Sequence, residues 1–186
     1  HIVTALSNSL SSGKIHHAWI FSGIRGIGKT TIARLLAKSL NCVVGITCTP
    51  CRTCSICQSI EKGICLDFIE IDAASRTKIE DIKEILDNIY YSPSNGRFKI
   101  YLIDEIHMLS RHSFNAFLKN LEEPPKHVKF ILATTDIDRI PKTILSRCLC
   151  FNLNTLSQDN IVIFLKHILI EENINVDTES LKIIAY

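Results

Sequence analysis

Apolar residues fall into two alternating patterns along this chain. Short continuous runs recur: Ala18-Trp19-Ile20-Phe21, Ile100-Tyr101-Leu102-Ile103 and Phe130-Ile131-Leu132-Ala133. Runs that are apolar on both faces suit strands buried in a parallel sheet. The pattern predicts strands near 18–23, 67–72, 98–104, 129–135 and 148–153. Between these runs, apolar residues return every three or four positions. Ile32, Ala33, Leu36, Ala37 and Leu40 share one side of a helix over 29–41. Ile79, Ile82, Ile85, Leu86 and Ile89 do so over 78–90, behind the capping box Thr77-Lys78-Ile79-Glu80. Phe114, Phe117, Leu118 and Leu121 stripe a helix over 113–122, capped by Ser113 and ended by Pro124-Pro125. Ile161, Phe164, Leu165, Ile168 and Leu169 stripe another over 158–171, and Asp177 or Thr178 could cap one more. Alternating strands and helices predict an α/β fold, a parallel sheet covered on both faces. The helical tail predicts a second domain, with residues 1–156 in the first and 157–186 in the second.

The first strand and first helix are joined by Gly23-Ile24-Arg25-Gly26-Ile27-Gly28-Lys29-Thr30. A glycine, four free positions and Gly-Lys-Thr form a phosphate-binding pattern when a strand precedes and a helix follows. Glycines let backbone N–H groups turn inward on phosphate oxygens, and the helix N-terminus adds positive potential. The candidate ATP-binding residues are Gly23, Arg25, Gly26, Ile27, Gly28, Lys29, Thr30 and Thr31. Lys29 would reach the β- and γ-phosphates, and the Thr30 hydroxyl would sit on Mg²⁺.

The run over 98–103 ends in Asp104-Glu105. A carboxylate at the end of a buried parallel strand can hold Mg²⁺, which assigns Asp104. The adjacent carboxylate, Glu105, can then orient and polarise a water for attack on the γ-phosphate. Two acids at a strand end carry little weight alone. Behind a phosphate loop at a separation that fits a βαβ fold, they point to nucleotide hydrolysis.

Eight cysteines are unevenly placed, and Cys42, Cys51, Cys54 and Cys57 have the spacing C-x8-C-x2-C-x2-C. They fall in a stretch over 42–65 where a simple phosphate-loop fold needs only a short connection. Four thiolates on a compact loop suit tetrahedral Zn²⁺ in a closed, structural site. The same run resembles part of an iron–sulfur ligand set but lacks the following C-x3-C-P. Disulfides fit a reducing compartment poorly. Cys48 and Cys65 lie nearby, and Cys148 and Cys150 are expected in the last strand as small buried hydrophobes.

Composition narrows the class. Hydrophobic residues make up 46% of 186 residues, enough for a packed α/β domain and a small addition. No apolar run approaches the ~20 residues needed to span a bilayer, and no signal-peptide pattern follows His1. Both ends read as cut from something longer. The net charge of +2 is too small to argue for nucleic-acid binding, so any such contact must come from local placement of charge.

Taken together, the phosphate loop, the cysteine insert, Ile71-Asp72-Ala73-Ala74-Ser75, Asp104-Glu105-Ile106-His107-Met108-Leu109, Leu121-Glu122-Glu123-Pro124-Pro125 and Ser146-Arg147-Cys148 resemble the bacterial DNA polymerase III gamma/tau family. The resemblance covers nearly the whole chain. It implies an AAA+ core with five parallel strands, a helical lid starting near Ser157, and a cytoplasmic ATPase with no membrane contact. It also implies a pentameric ring with other clamp-loader subunits, acting on the sliding clamp and primer-template DNA. By the same resemblance Thr135 is the polar sensor-1 residue, and Arg147 is an arginine finger acting in trans on a neighbour's ATP. Lys78, Lys83, Arg111 and Arg139 match positions that face DNA phosphates. The segment that closes over adenine and the sensor-2 arginine are expected outside this chain.

Three other readings compete. A non-hydrolysing scaffold subunit of the same ring would lack a working phosphate loop, whereas Gly28-Lys29-Thr30 and Asp104-Glu105 stand intact. Asp104-Glu105-Ile106-His107 resembles a helicase box, but the chain has no room for a second RecA-like domain, and His107 reads as a helix-start residue. A nucleic-acid docking role for the cysteine insert lacks aromatic residues for stacking, and only Arg52 and Lys62 are basic there.

Overall fold

The structure is a computed structural model that describes residues 2–75, 86–172, 174 and 176–185. Its helices are α1 (Ile2–Ser11), α2 (Lys29–Asn41), α3 (Ser55–Glu61), α4 (Arg111–Glu122), α5 (Lys142–Leu145), α6 (Gln158–Glu171) and α7 (Thr178–Ile184). Its strands are β1 (Ala18–Ser22), β2 (Phe68–Asp72), β3 (Lys99–Asp104), β4 (Val128–Thr134) and β5 (Leu149–Asn152). All five strands run parallel in the order β2-β3-β4-β1-β5. By contacts the chain falls into two compact units, one ending at Leu153 and one starting at Asn154.

The continuous apolar runs are explained by burial on both faces. In β1, Trp19 and Phe21 pack with Leu36 and Leu40 of α2, while Ile20 packs with Phe117 and Leu121 of α4. β4 repeats the split: Ile131 and Ala133 face the α2 side, Phe130 and Leu132 the α4 side. Phe117 meets Phe130 edge-on, at 5.0 Å and 83°, an arrangement worth ~0.5–1.5 kcal/mol beyond its area.

Several elements depart from expectation. α1 was given no element by sequence, because its apolar stripe is short and interleaved with serines; Ile2, Leu6 and Leu10 pack it onto the α2 side. α3 lies inside the cysteine insert, N-capped by Cys54, with Ile56 and Ile60 buried. The cap of α4 is Ser110, not Ser113: Ser110 Oγ accepts the Ser113 N–H at 3.1 Å, and Ser113 is fully buried. The helix expected over 78–90, with Lys78 and Lys83, lies mostly outside the described residues; Leu86 and Ile89 are buried, and Asn88–Tyr90 form a 3-10 turn. Cys148 precedes β5 half-buried and Cys150 is exposed, because β5 pairs only with β1 and forms the sheet edge. In the second unit α6 buries Val162, with Ile161, Leu165 and Leu169 beside Leu181 of α7 and Ala185 just after it. Phe164 and Ile168 are exposed rather than packed. Asp177 caps α7, accepting the Ser180 N–H at 2.9 Å.

One buried carboxylate ties the start of β2 to the loop before β3. Asp67 is buried and accepts the N–H groups of Ser94, Asn95 and Gly96 at 2.7, 2.7 and 2.6 Å. Burial pushes its pKa up, but the three N–H groups outweigh this and hold it below the ordinary aspartate value. Asp67→Ala should therefore lower unfolding stability by about 2–4 kcal/mol in urea titrations, since it strands these donors. A lowered folded-state pKa stabilises above the unfolded value and loses that stability as pH falls through the folded one. The gap between wild type and variant is expected at neutral pH and should close below about pH 4.

Candidate nucleotide-binding site

The loop after β1, the acid pair after β3 and the threonines ending β4 meet at the carboxyl edge of the sheet. Together they line an open cleft of about 980 Å³ that includes Arg25, Lys29, Thr30, Thr31, Glu105 and Thr135. Gly28 caps α2 in the left-handed region at φ 97°, where a side chain is strained. Gly23, at φ 152°, passes so close to the end of the sheet that a Cβ would lie 2.7 Å from the Leu153 carbonyl oxygen. Gly26 also has positive φ, and Ile27 is half-buried between these glycines. Lys29 is buried, and its Nζ donates to the carbonyls of Gly23 at 2.9 Å and Ile24 at 3.0 Å. The ammonium thus sits within the curl of the loop, held by backbone oxygens.

Thr30 Oγ1 donates to Asp104 Oδ2 at 3.0 Å. Two oxygens at that spacing fit one edge of a Mg²⁺ octahedron, which for ~2.05 Å bonds is ~2.9 Å long. Asp104 Oδ1 accepts the Glu105 N–H at 2.9 Å. Glu105 has φ 49° and ψ 44°, a left-handed conformation that costs a non-glycine residue roughly 1–2 kcal/mol. Its Oε2 accepts from Thr135 N at 3.2 Å and Thr135 Oγ1 at 3.0 Å. Lys29, Thr30, Asp104, Glu105 and Thr135 are therefore brought together.

Sequence reasoning missed three neighbours. Asp72 lines the cleft, opposite Asp104 in the β2–β3 register, with its carboxylate closing the turn to Ala74 and Ser75. That pairing of strand-end acids was the available signal. His107, in the 3-10 turn Ile106–Met108, lies 2.9 Å from Thr134 Oγ1. Nothing in the spacing pointed to Thr134 or to this contact.

Other candidates stand apart. Arg147 does not line the cleft; its guanidinium donates to Thr143 O at 2.7 Å and to Glu122 Oε1 at 2.8 Å. Arg139 is exposed and paired with Asp136 at 3.0 Å. Arg111 begins α4 on the surface.

The sulfurs of Cys42, Cys51, Cys54 and Cys57 all lie within 4.8 Å of one another and could hold a metal ion. Cys42 and Cys51 sulfurs are 3.6 Å apart: too far for a disulfide, and close to the ~3.8 Å edge of a tetrahedron with ~2.3 Å metal–sulfur bonds. Backbone N–H groups of Cys51, Cys54 and Cys57 point at the sulfurs of Cys42, Cys51 and Cys54, at 3.5, 3.4 and 3.4 Å. These donors favour thiolates, and the Cys54 N–H leads the effects that pull the Cys51 pKa down to about 6.

This sheet order, with a phosphate loop after β1 and an acid pair after β3, defines a P-loop fold of the AAA+ class. The Thermotoga maritima RuvB Holliday junction branch migration motor shares it at TM-score 0.64, with 19% identity over 98% of this chain and 52% of that one. The chain belongs to the DNA polymerase III, delta subunit family, whose model matches residues 1–157. It is 72% identical over its full length to the DNA polymerase III subunit gamma of Buchnera aphidicola subsp. Schizaphis graminum, covering 51% of that protein. It is 62% identical to the DNA polymerase III subunit tau of Escherichia coli, covering 29% of it. The chain thus spans about half the length, or less, of these relatives. None of its described helices is long and apolar enough to cross a membrane.

The glycines make a graded prediction. Gly23→Ala must displace backbone at Leu153, whereas a Cβ at Gly26 meets nothing within 4 Å. Gly23→Ala should cost about 2–3 kcal/mol and Gly26→Ala about 1 kcal/mol, the latter from backbone strain alone. Chemical denaturation of the two variants checks the order.

Proposed function

We propose that this chain is the ATP-binding and ATP-hydrolysing part of a bacterial replicative clamp loader, a motor that loads the sliding clamp onto primer-template DNA. The observation that carries the reading is the Thr30–Asp104 contact at 3.0 Å with Glu105 beside it. A scaffold subunit needs no such arrangement. The relatives' names support the replication setting. The other loader subunits, arranged with it in a pentameric ring, are the proposed partners, and the bacterial cytoplasm is the proposed compartment.

In this reading Lys29 leaves the carbonyls of Gly23 and Ile24 for the β- and γ-phosphate oxygens. The N–H groups of the loop and of Lys29 to Thr31 face the same oxygens. Thr30 and Asp104 are the residues that would hold Mg²⁺, which when bound draws charge off the phosphates. Glu105 takes a proton from the attacking water. The water oxygen bonds to the γ-phosphorus as the bond to the β–γ bridging oxygen breaks, and ADP leaves with the electron pair. Thr135 fixes Glu105 and is proposed to sense the γ-phosphate. Arg147 serves the ATP of a neighbouring subunit, and to do so it must exchange Glu122 for phosphate. A planar, permanently charged group suits that exchange. Arg111, Arg139, Lys78 and Lys83 are the proposed DNA-facing charges.

The cysteine insert is proposed to hold one structural Zn²⁺ on Cys42, Cys51, Cys54 and Cys57, all four positions being filled by protein. Elemental analysis should return one zinc per chain and no iron. Cys54→Ser should lower zinc content and loosen the insert while nucleotide still binds. An ordered insert in zinc-free protein would defeat the assignment.

ATPase assays on the full-length protein in its assembly test the motor. Lys29→Ala should abolish nucleotide binding. Glu105→Gln should bind normally and turn over ~10²–10⁴-fold more slowly. Wild-type turnover by the Glu105→Gln protein would remove Glu105 from its role. Mixing Arg147→Ala with Lys29→Ala subunits should restore part of the activity, since some interfaces then pair an intact loop with an intact arginine. Mixtures as inactive as either mutant, in intact assemblies, would rule out action in trans.

A further inference from the structure

We infer that His107 is a positioning residue for Glu105: with Thr135 it pins the carboxylate oxygen Oε2, which leaves Oε1 to face the attacking water. The consequence for turnover rests on the ATPase reading above. The placement rests on the contacts of His107 with Thr134 and Glu105 alone.

Thr134 is fully buried at the end of β4. Its hydroxyl has one proton, donated to the Asp136 carbonyl at 2.9 Å. The same oxygen accepts the Asp136 N–H at 3.0 Å. Thr134 Oγ1 therefore has only acceptor capacity left for His107 Nδ1, which lies 2.9 Å away. With the hydroxyl proton on the Asp136 carbonyl, the imidazole donates to Oγ1 and Nδ1 carries a proton. Glu105 Oε2 makes the same demand independently. It lies 3.4 Å from Nδ1; a lone pair on Nδ1 would face a carboxylate oxygen, while an N–H is attracted to it. Both neighbours select the Nδ1–H tautomer, whose proton is shared between Thr134 and Glu105.

Oε2 of Glu105 thus faces three donors: Thr135 N, Thr135 Oγ1 and His107 Nδ1. Among the described residues none bonds to Oε1. A carboxylate whose one oxygen is anchored from two sides cannot rotate to exchange its oxygens, and its free lone pairs keep one direction. The His107 side chain is only 10% exposed, so the ring is held by its surroundings.

The test uses amide isosteres. An asparagine amide nitrogen stands the same number of bonds from Cα as imidazole Nδ1; a glutamine amide nitrogen stands one bond further, at the reach of Nε2. In the full-length protein, turnover and affinity for a fluorescent ATP analogue are measured for wild type, Glu105→Gln, His107→Ala, His107→Asn and His107→Gln. His107→Ala and His107→Gln should lower kcat ~10–100-fold, the scale expected of a misplaced reacting group, with affinity unchanged. His107→Asn should recover most of the turnover. Wild-type kcat in His107→Ala, or equal rescue by Gln and Asn, overturns the inference. Long-range ¹H–¹⁵N spectra of histidine-labelled protein give a readout besides activity. The ring of His107 is expected as the Nδ1–H tautomer, and an Nε2–H tautomer overturns the placement. If Glu105→Gln turns over like wild type, Glu105 loses its role as the base and His107 its consequence for turnover, and the tautomer still decides where His107 points its proton. Absence of turnover in the wild type is what would remove the ATPase reading.

Discussion

β4 is buried at every position and hydrogen-bonds to β1 on one side and β3 on the other. The rest of the site depends on that double pairing. Parallel strands sit about 4.8 Å apart, so with β4 between them β1 and β3 end roughly 10 Å from each other. The loop after β1 and the acids after β3 then flank one space, and Thr134-Thr135 rise between them. A longer or shorter gap would leave Thr30 unable to reach Asp104. Register matters as much as spacing. Ile20 stands opposite Leu132, and Phe130 opposite Tyr101; a slip of one residue would turn every one of these side chains to the wrong face.

That dependence explains what was legible in the sequence. A strand buried on both faces must be a continuous apolar run, so β1, β3 and β4 could be read within a residue or two of their observed ends. The edge strands β2 and β5, only partly buried, were read from shorter runs. The phosphate loop was equally legible, since Gly-x4-Gly-Lys-Thr is dictated by backbone approach and charge. The elements that escaped are those whose core faces are short. α1 presents only Ile2, Leu6 and Leu10, and α3 hides among cysteines that read as loop. α5 is a single turn after Pro141. Contacts between the ends of different strands, such as Thr134 with His107, have no signature in spacing at all. Thr135 and Arg147 entered only through family resemblance, because a residue that acts through another side chain or another subunit leaves no local pattern.

The cysteine insert is joined to the phosphate loop by one helix. Cys42 caps the carboxyl end of α2, its N–H bonding to Lys38 O, and Lys29 to Thr31 open the other end. Along the way Lys38 pairs with Glu61 of α3, and Ile56 and Ile60 pack with α2. The cluster of four sulfurs thus stands at one end of the helix whose other end, Lys29 to Thr31, lines the cleft. A 13-residue helix spans about 20 Å, too far for the sulfurs to act on a phosphate directly. Fixing the carboxyl end limits how far the helix can slide or fray, and a rigid helix keeps its N–H groups aimed without reorganisation.

Two features of the cleft are held by contacts that a bound nucleotide would change. Lys29 spends its donors on Gly23 and Ile24, carbonyls that can turn to solvent once phosphate oxygens replace them. Thr30 spends its proton on Asp104, a bond that a divalent ion between the two oxygens would supersede. Glu105 differs. Its partners Thr135 and His107 are protein groups that line the cleft beside it, and its backbone stands in the left-handed region. In the proposed reading, the Lys29–Thr30 half of the site rearranges around its ligand, while the Glu105 half is held by protein groups alone. Transition-state stabilisation by groups already in place costs no reorganisation during reaction, and that places the rigid contacts at Glu105 and the exchangeable ones at Lys29 and Thr30.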